Sequence, residues 1–254
     1  MLRVPCGVRH AIVTLLRACR HELKAAAILA GGLHALLALG AYGAESRSTV
    51  DSIAERVVPC TSCHGKEGRA TSEGYFPRIA GKPAGYLYNQ LLNFRDGRRH
   101  YALMTYVVDH LTDAYLKEIA EYFAGLNVPY PAPQPASGAP ALRARGEALV
   151  KRGDATRSIP ACVECHGQNL MGTLPSVPGL LGLSRDYLHG QLGHWQTGAR
   201  RARSPDCMAK IAAKLLPEDI AALAVWIAAQ PVPPGASAAQ PSHPAPIDCG
   251  GLSR

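Results

Sequence analysis

An all-α protein made of two copies of one domain is what this sequence predicts, on three observations. Apolar residues recur at helical spacing in several segments, and nothing shows the period-two alternation a sheet would need. A second stretch of about one hundred residues repeats the first. The pentapeptide Cys-x-x-Cys-His stands once in each stretch, as Cys60-Thr61-Ser62-Cys63-His64 and as Cys162-Val163-Glu164-Cys165-His166.

The helices follow in chain order. One is predicted near Thr49 to Val58. The next runs from Ala84 to Asp96, carries Tyr86, Leu87, Gln90, Leu91 and Phe94 on its inner side, and stops at Gly97. Thr112-Asp113 caps a helix whose buried stripe is Leu116, Ile119, Ala120 and Phe123. In the second copy a helix spans Leu142 to Arg152. The last begins at Pro217, a residue suited to a first helical turn, and buries Ile220, Leu223, Ala224 and Ile227.

The duplication is read by alignment. His64-Gly65 matches His166-Gly167 at an offset of 102. At 101, Pro77 falls on Pro178, Gly81 on Gly182, Tyr86-Leu87 on Tyr187-Leu188, Gln90-Leu91 on Gln191-Leu192 and Gly97 on Gly198. At 104, Met104 falls on Met208, Leu111 on Leu215 and Tyr122 on Trp226. The domains read as 44–127 and 141–230. Alternating prolines at 128–140 predict a semi-rigid extended spacer, and the Pro/Ala-rich tail 231–254 either wraps the second domain or stays loose.

Cys-x-x-Cys-His is the attachment pattern for c-type haem. Two thiols three positions apart, on a turn entering a helix, reach the two vinyl groups of one porphyrin, and the next residue presents an imidazole to the iron. A zinc site is the competing reading of paired cysteines. Here 98 residues separate Cys63 from Cys162, against roughly 12–20 between the pairs of zinc motifs. Zinc also leaves the histidine after each pair unexplained. Two copies therefore predict two covalent haems, with His64 and His166 as proximal ligands.

The other face of each iron decides between electron transfer and chemistry on a bound ligand. Of four methionines, Met104 and Met208 hold equivalent places, 40 and 42 residues after the motif histidines and in loops after basic runs. They are the candidate sixth ligands. His100, His110 and Cys207 compete, while Met171 lies too close to His166 to cross a haem and is read as packing. Tyr86, Gln90, Tyr187 and Gln191 touch haem or simply pack helices. The arginines at 95, 98, 99, 200, 201 and 203 pair with propionates, form a docking face or stay solvated.

Of the 254 residues, 47% are hydrophobic and 18% charged, which is globular composition. The net charge of +8 divides into +4 in residues 1–43, zero in 44–136 and +4 in 137–254. Four haem propionates would offset the last part, so no field suited to a nucleic acid remains and none is expected as partner. Residues 1–43 read as a signal peptide: basic residues, a 16-residue apolar run, then small residues at Ala41 and Gly43. Left uncleaved, the segment would be a membrane anchor. Either way the redox domains are expected in the periplasm, an oxidising place. Cys207 and Cys249, the cysteines outside leader and motifs, are expected to form a disulfide that pins the tail across the second haem pocket.

The chain resembles the dihaem class I cytochromes c of the cytochrome c4 family over about residues 48–230. The likeness rests on Cys-x-x-Cys-His-Gly, the Pro-x-x-x-Gly loop, Tyr-Leu-x-x-Gln-Leu, the Phe-Arg-Asp-Gly-x-Arg run at 94–99, and Met104 and Met208 before an aromatic-bearing last helix. The resemblance implies two class I cytochrome c domains related by pseudo-twofold symmetry, with haem propionates facing each other. It implies an electron carrier working between a dehydrogenase or quinol–cytochrome c reductase and a terminal oxidase. Related dihaem chains are subunits of membrane-associated dehydrogenases, and a dihaem peroxidase is the enzymatic alternative.

Overall fold

The computed structural model describes residues 51–252, so the leader expected at 1–43 lies outside the described residues. The first repeat contributes α1 (Ile53–Arg56), α2 (Val58–His64), α3 (Ala84–Arg95), α4 (Ala102–Val108) and α5 (Asp113–Ala124). The second contributes α6 (Pro140–Arg152), α7 (Cys162–His166), α8 (Arg185–Thr197), α9 (Cys207–Ala212) and α10 (Pro217–Ala228). A two-residue antiparallel pair, β1 (Gly172–Thr173) with β2 (Val177–Pro178), is the sheet content among the described residues. The all-α prediction holds.

Two local expectations are corrected. The helix expected near Thr49 to Val58 is two helices. Ser52 and Glu55 form a capping box that starts α1, and the chain breaks at buried Val57 before Pro59 enters the first turn of α2. The haem motif lies in the last turn of α2 and of α7 instead of entering a helix. Gly65 and Gly167 terminate these helices at φ 74° and 83°. A Cβ at Gly65 would meet the Ala70 carbonyl oxygen at 2.3 Å, so both backbone conformation and space demand glycine there.

The expected apolar stripes form the core. In the first repeat Leu87 of α3 packs with Ile119, Ala120 and Phe123 of α5. In the second, Leu149 and Val150 of α6 and Leu188 of α8 surround Ile220, Leu223, Ala224 and Ile227 of α10. Met171 sits inside this cluster, as packing. At Gly146 the α6 backbone approaches α10 so closely that a Cβ would lie 2.3 Å from the Ala222 carbonyl oxygen. Asp219 in the first turn of α10 is fully buried (0% exposed), accepts from Arg145 at 2.5 Å and Arg157 at 2.6 Å, and also receives the Leu216 N–H. Burial opposes its charge, but these three donors outweigh it and hold the carboxyl below its ordinary range.

The spacer after α5 runs extended and is gripped. Arg78 donates to the Val128 and Pro129 carbonyls and stacks on Tyr130 at 3.8 Å. The tail wraps the second repeat: Ala239 bridges to Thr173, and Cys249 is bonded to Cys207 with their Cα atoms 5.0 Å apart. It then reaches the first repeat, where Asn89 of α3 donates to the Gly251 carbonyl at 2.9 Å.

Asp219→Asn should lower stability by about 2 kcal/mol, the scale of hydrogen bonds to a charged group, as read by denaturant melts at pH 7. Because folding depresses the Asp219 pKa, its contribution is complete above the unfolded value near ~4 and disappears as pH falls through the lower folded value. The melts of wild type and variant should therefore converge in acid. Cys249→Ser opens a loop of sequence separation 42 and should cost about 2–4 kcal/mol in the same assay.

Candidate haem sites

Both motifs line one continuous cavity of about 1190 Å³. Cys60, Cys63, Cys162 and Cys165 carry no disulfide. Desolvation raises the thiol pKa of Cys60 and Cys165 and pushes that of Cys162 up to about 12, so these sulfurs stay protonated. A protonated thiol is the species that adds across a vinyl group.

His64 at the end of α2 and His166 at the end of α7 are both 8% exposed. Each ring places Nδ1 2.8 Å from a backbone carbonyl, that of Pro77 for His64 and that of Pro178 for His166. The carbonyl can only accept, so Nδ1 carries the proton and Nε2 keeps its lone pair. Burial lowers both imidazole pKa values, against the opposing pull of the carbonyl. A cation adds to the lowering in each case: Arg99 for His64, Lys82 for His166. Both rings are thus held neutral and in a fixed orientation, the condition that a metal-binding imidazole must meet.

Met104 and Met208 line the same cavity. They lie within α4 and α9, not in the loops expected from the sequence. Thr105 Oγ1 bonds the Phe94 carbonyl and ties α4 to α3, while the Asp206 side chain caps α9 through the Ala209 N–H at 3.0 Å. The competing ligands fare differently. The His110 side chain is almost wholly exposed and lies outside the cavity, Cys207 is engaged in its disulfide, and His100 borders the cavity from an exposed position.

The basic runs divide. Arg95 pairs with Asp113 and Asp96, Arg98 with Asp96, and Arg201 is exposed. Arg99 and Arg200 are 8% and 5% exposed and cross between the repeats. Arg99 reaches Tyr187 at 2.9 Å, Gln191 at 2.6 Å and Gln90 at 2.9 Å. Arg200 reaches Gln90 at 3.1 Å, Tyr86 at 3.4 Å and Gln191 at 2.8 Å. Their backbones form an antiparallel bridge. Among the described residues neither guanidinium meets a carboxylate. The buried Trp195 indole N–H, beside Arg200, also has no partner. Buried cations and a donor without acceptors, lining a cavity with four free thiols and two oriented imidazoles, fit two haems that bring propionates.

Sequence reasoning missed Lys82 and Trp195 along this cavity; the tail segment from Ala239 to Leu252 also lines it, where the expected Cys207–Cys249 disulfide pins it. No local pattern marks a lysine for burial. Trp195 had a faint signal, since it replaces Phe94 of the first repeat at the offset of 101.

No protein-family profile matches the chain. It is 37% identical to the thiosulfate dehydrogenase electron acceptor of Thiomonas intermedia, over 70% of this chain and 82% of that protein. It is 33% identical to cytochrome c4 of Pseudomonas aeruginosa, over 76% of this chain and 94% of that one. The crystal structure of reduced recombinant cytochrome c4 from Pseudomonas stutzeri superposes with a TM-score of 0.60 at 32% identity, covering 69% of this chain and 95% of the other. With two haem-attachment motifs on two repeats of one helical domain, and relatives that are electron carriers, the chain belongs to the dihaem cytochrome c4 family of electron-transfer proteins.

Proposed function

We propose that this chain is an exported periplasmic carrier that accepts electrons from a dehydrogenase and delivers them to a terminal acceptor such as an oxidase. The observation that carries the reading is the shared cavity, with two neutral imidazoles and two methionines on its wall. Cys60 and Cys63 would hold one haem as thioethers, and Cys162 and Cys165 the other. His64 and His166 would bind the irons through Nε2, and Met104 and Met208 through sulfur. Each bound haem would supply a one-electron iron couple. An iron held by both a histidine and a methionine of this chain would carry electrons and keep substrates off the metal. A neutral thioether favours ferrous iron and sets both potentials toward the oxidising end.

The donor is of the thiosulfate dehydrogenase class, as for the Thiomonas relative named as that enzyme's electron acceptor. Its docking place is the α4 side of the first site. There Leu103, Tyr106 (79% exposed) and Val107 stand out to solvent, with exposed Tyr75 nearby through its contact with Tyr101. The matching side of the second site is covered by the tail bonded to Cys207. An apolar face suits a short-lived contact with the rim of another redox centre.

Met208→Ala should leave both haems attached but abolish one methionine–iron charge-transfer band, lower that haem's potential and open it to carbon monoxide. An unchanged spectrum would remove Met208 from the coordination sphere. Tyr106→Glu, at an exposed position off the cavity wall, should slow reduction by thiosulfate dehydrogenase about tenfold, the effect of roughly 1.4 kcal/mol, with far smaller changes in either potential. Stopped-flow reduction of the variant at the wild-type rate would move the docking place elsewhere.

A further inference from the structure

We propose that Lys82, a residue of the first repeat, selectively raises the reduction potential of the haem held by the second repeat. The inference rests on the assignment of two haems and deepens it. Lys82 is 3% exposed, and its Nζ donates to the Gly179 carbonyl at 2.6 Å. Gly179 follows Pro178, whose carbonyl holds His166 Nδ1 at 2.8 Å. The ammonium of one repeat and the proximal imidazole of the other therefore hang on successive peptide units. Both line the same cavity.

Among the described residues no carboxylate pairs with Lys82. Of its three donors one has a partner, a neutral carbonyl. The neighbouring cation, Arg78, is already spent on the Ala80, Val128 and Pro129 carbonyls. A positive charge enclosed this way acts strongly over short distances, because little water is present to screen it. Conversion of iron(III) to iron(II) takes up one electron and no other group, so a nearby cation favours the reduced form and raises the potential.

The selectivity comes from a break in the repeat. At the offset of 101 that relates Gly81 to Gly182, Lys82 corresponds to Leu183. The second repeat thus sends no equivalent charge toward His64, whose neighbouring cation is Arg99 of its own repeat. Arg99 and Arg200 are matched across the duplication; Lys82 is not.

Burial pushes the Lys82 ammonium down to about 7, so the test is made at pH 6, where it is mainly charged. Lys82→Met, Lys82→Gln and Lys82→Arg are titrated potentiometrically with paramagnetic NMR. Haem methyls are assigned through contacts to Ile119 and Phe123 for the first site and to Leu223 and Ile227 for the second. Haem content is counted beforehand by pyridine haemochrome. With two haems per chain, Met and Gln should shift the second potential down at least twice as far as the first, and Arg should restore it. Unchanged potentials, equal shifts at both sites, or an arginine variant that behaves like methionine would each overturn the proposal. A wild-type count other than two would overturn the two-haem assignment along with it.

Discussion

A backbone carbonyl aimed at an imidazole Nδ1 is the contact on which each half of this protein depends. Pro77 and Pro178 supply it, and neither residue can be placed without the loop that follows the motif. Gly65 reverses the chain after His64, and the Gly68 carbonyl then takes the Ile79 and Ala80 N–H groups, which draws Pro77 back over the ring. In the second repeat β1 and β2 do the same work, pairing Gly172 with Pro178. One ring tautomer and one ring orientation follow. The helical core is the frame that holds these two short reversals steady.

The joint between the repeats is built on different physics. Arg99 and Arg200 cross it with neutral amide and phenol acceptors, two like charges buried near each other, and burial together with Arg99 pushes the Arg200 pKa below its ordinary value. Such an arrangement is costly on its own and becomes favourable when anionic groups enter the cavity. Anionic groups in the space that both motifs line would therefore also favour the contact between the two halves.

Much of this was legible in the residues. Covalent attachment needs a fixed spacing, so Cys-x-x-Cys-His named both sites. Duplication placed Met104 and Met208 on the cavity wall because an equivalent position in two copies reports a shared constraint. The stripe at Leu116, Ile119, Ala120 and Phe123 was read directly from its period. What stayed hidden involves contacts between distant segments. The burial of Lys82 depends on Gly179, 97 residues away, and the path of the tail depends on Asn89, 162 residues from Gly251. The motif's place at a helix end was also misjudged, because the positive φ of Gly65 shows only in the backbone.

The bridge between Cys207 and Cys249 has a consequence for how the chain comes to be made. Its two sulfurs share the described chain with four others, and six thiols allow 15 fully paired arrangements. In an oxidising compartment nearly all of these are traps. The chain escapes them if the motif sulfurs are consumed by vinyl groups before they meet an oxidant. Thioether chemistry at the four motif sulfurs leaves Cys207 and Cys249 as the remaining pair, so the order of the two reactions decides which bridge forms.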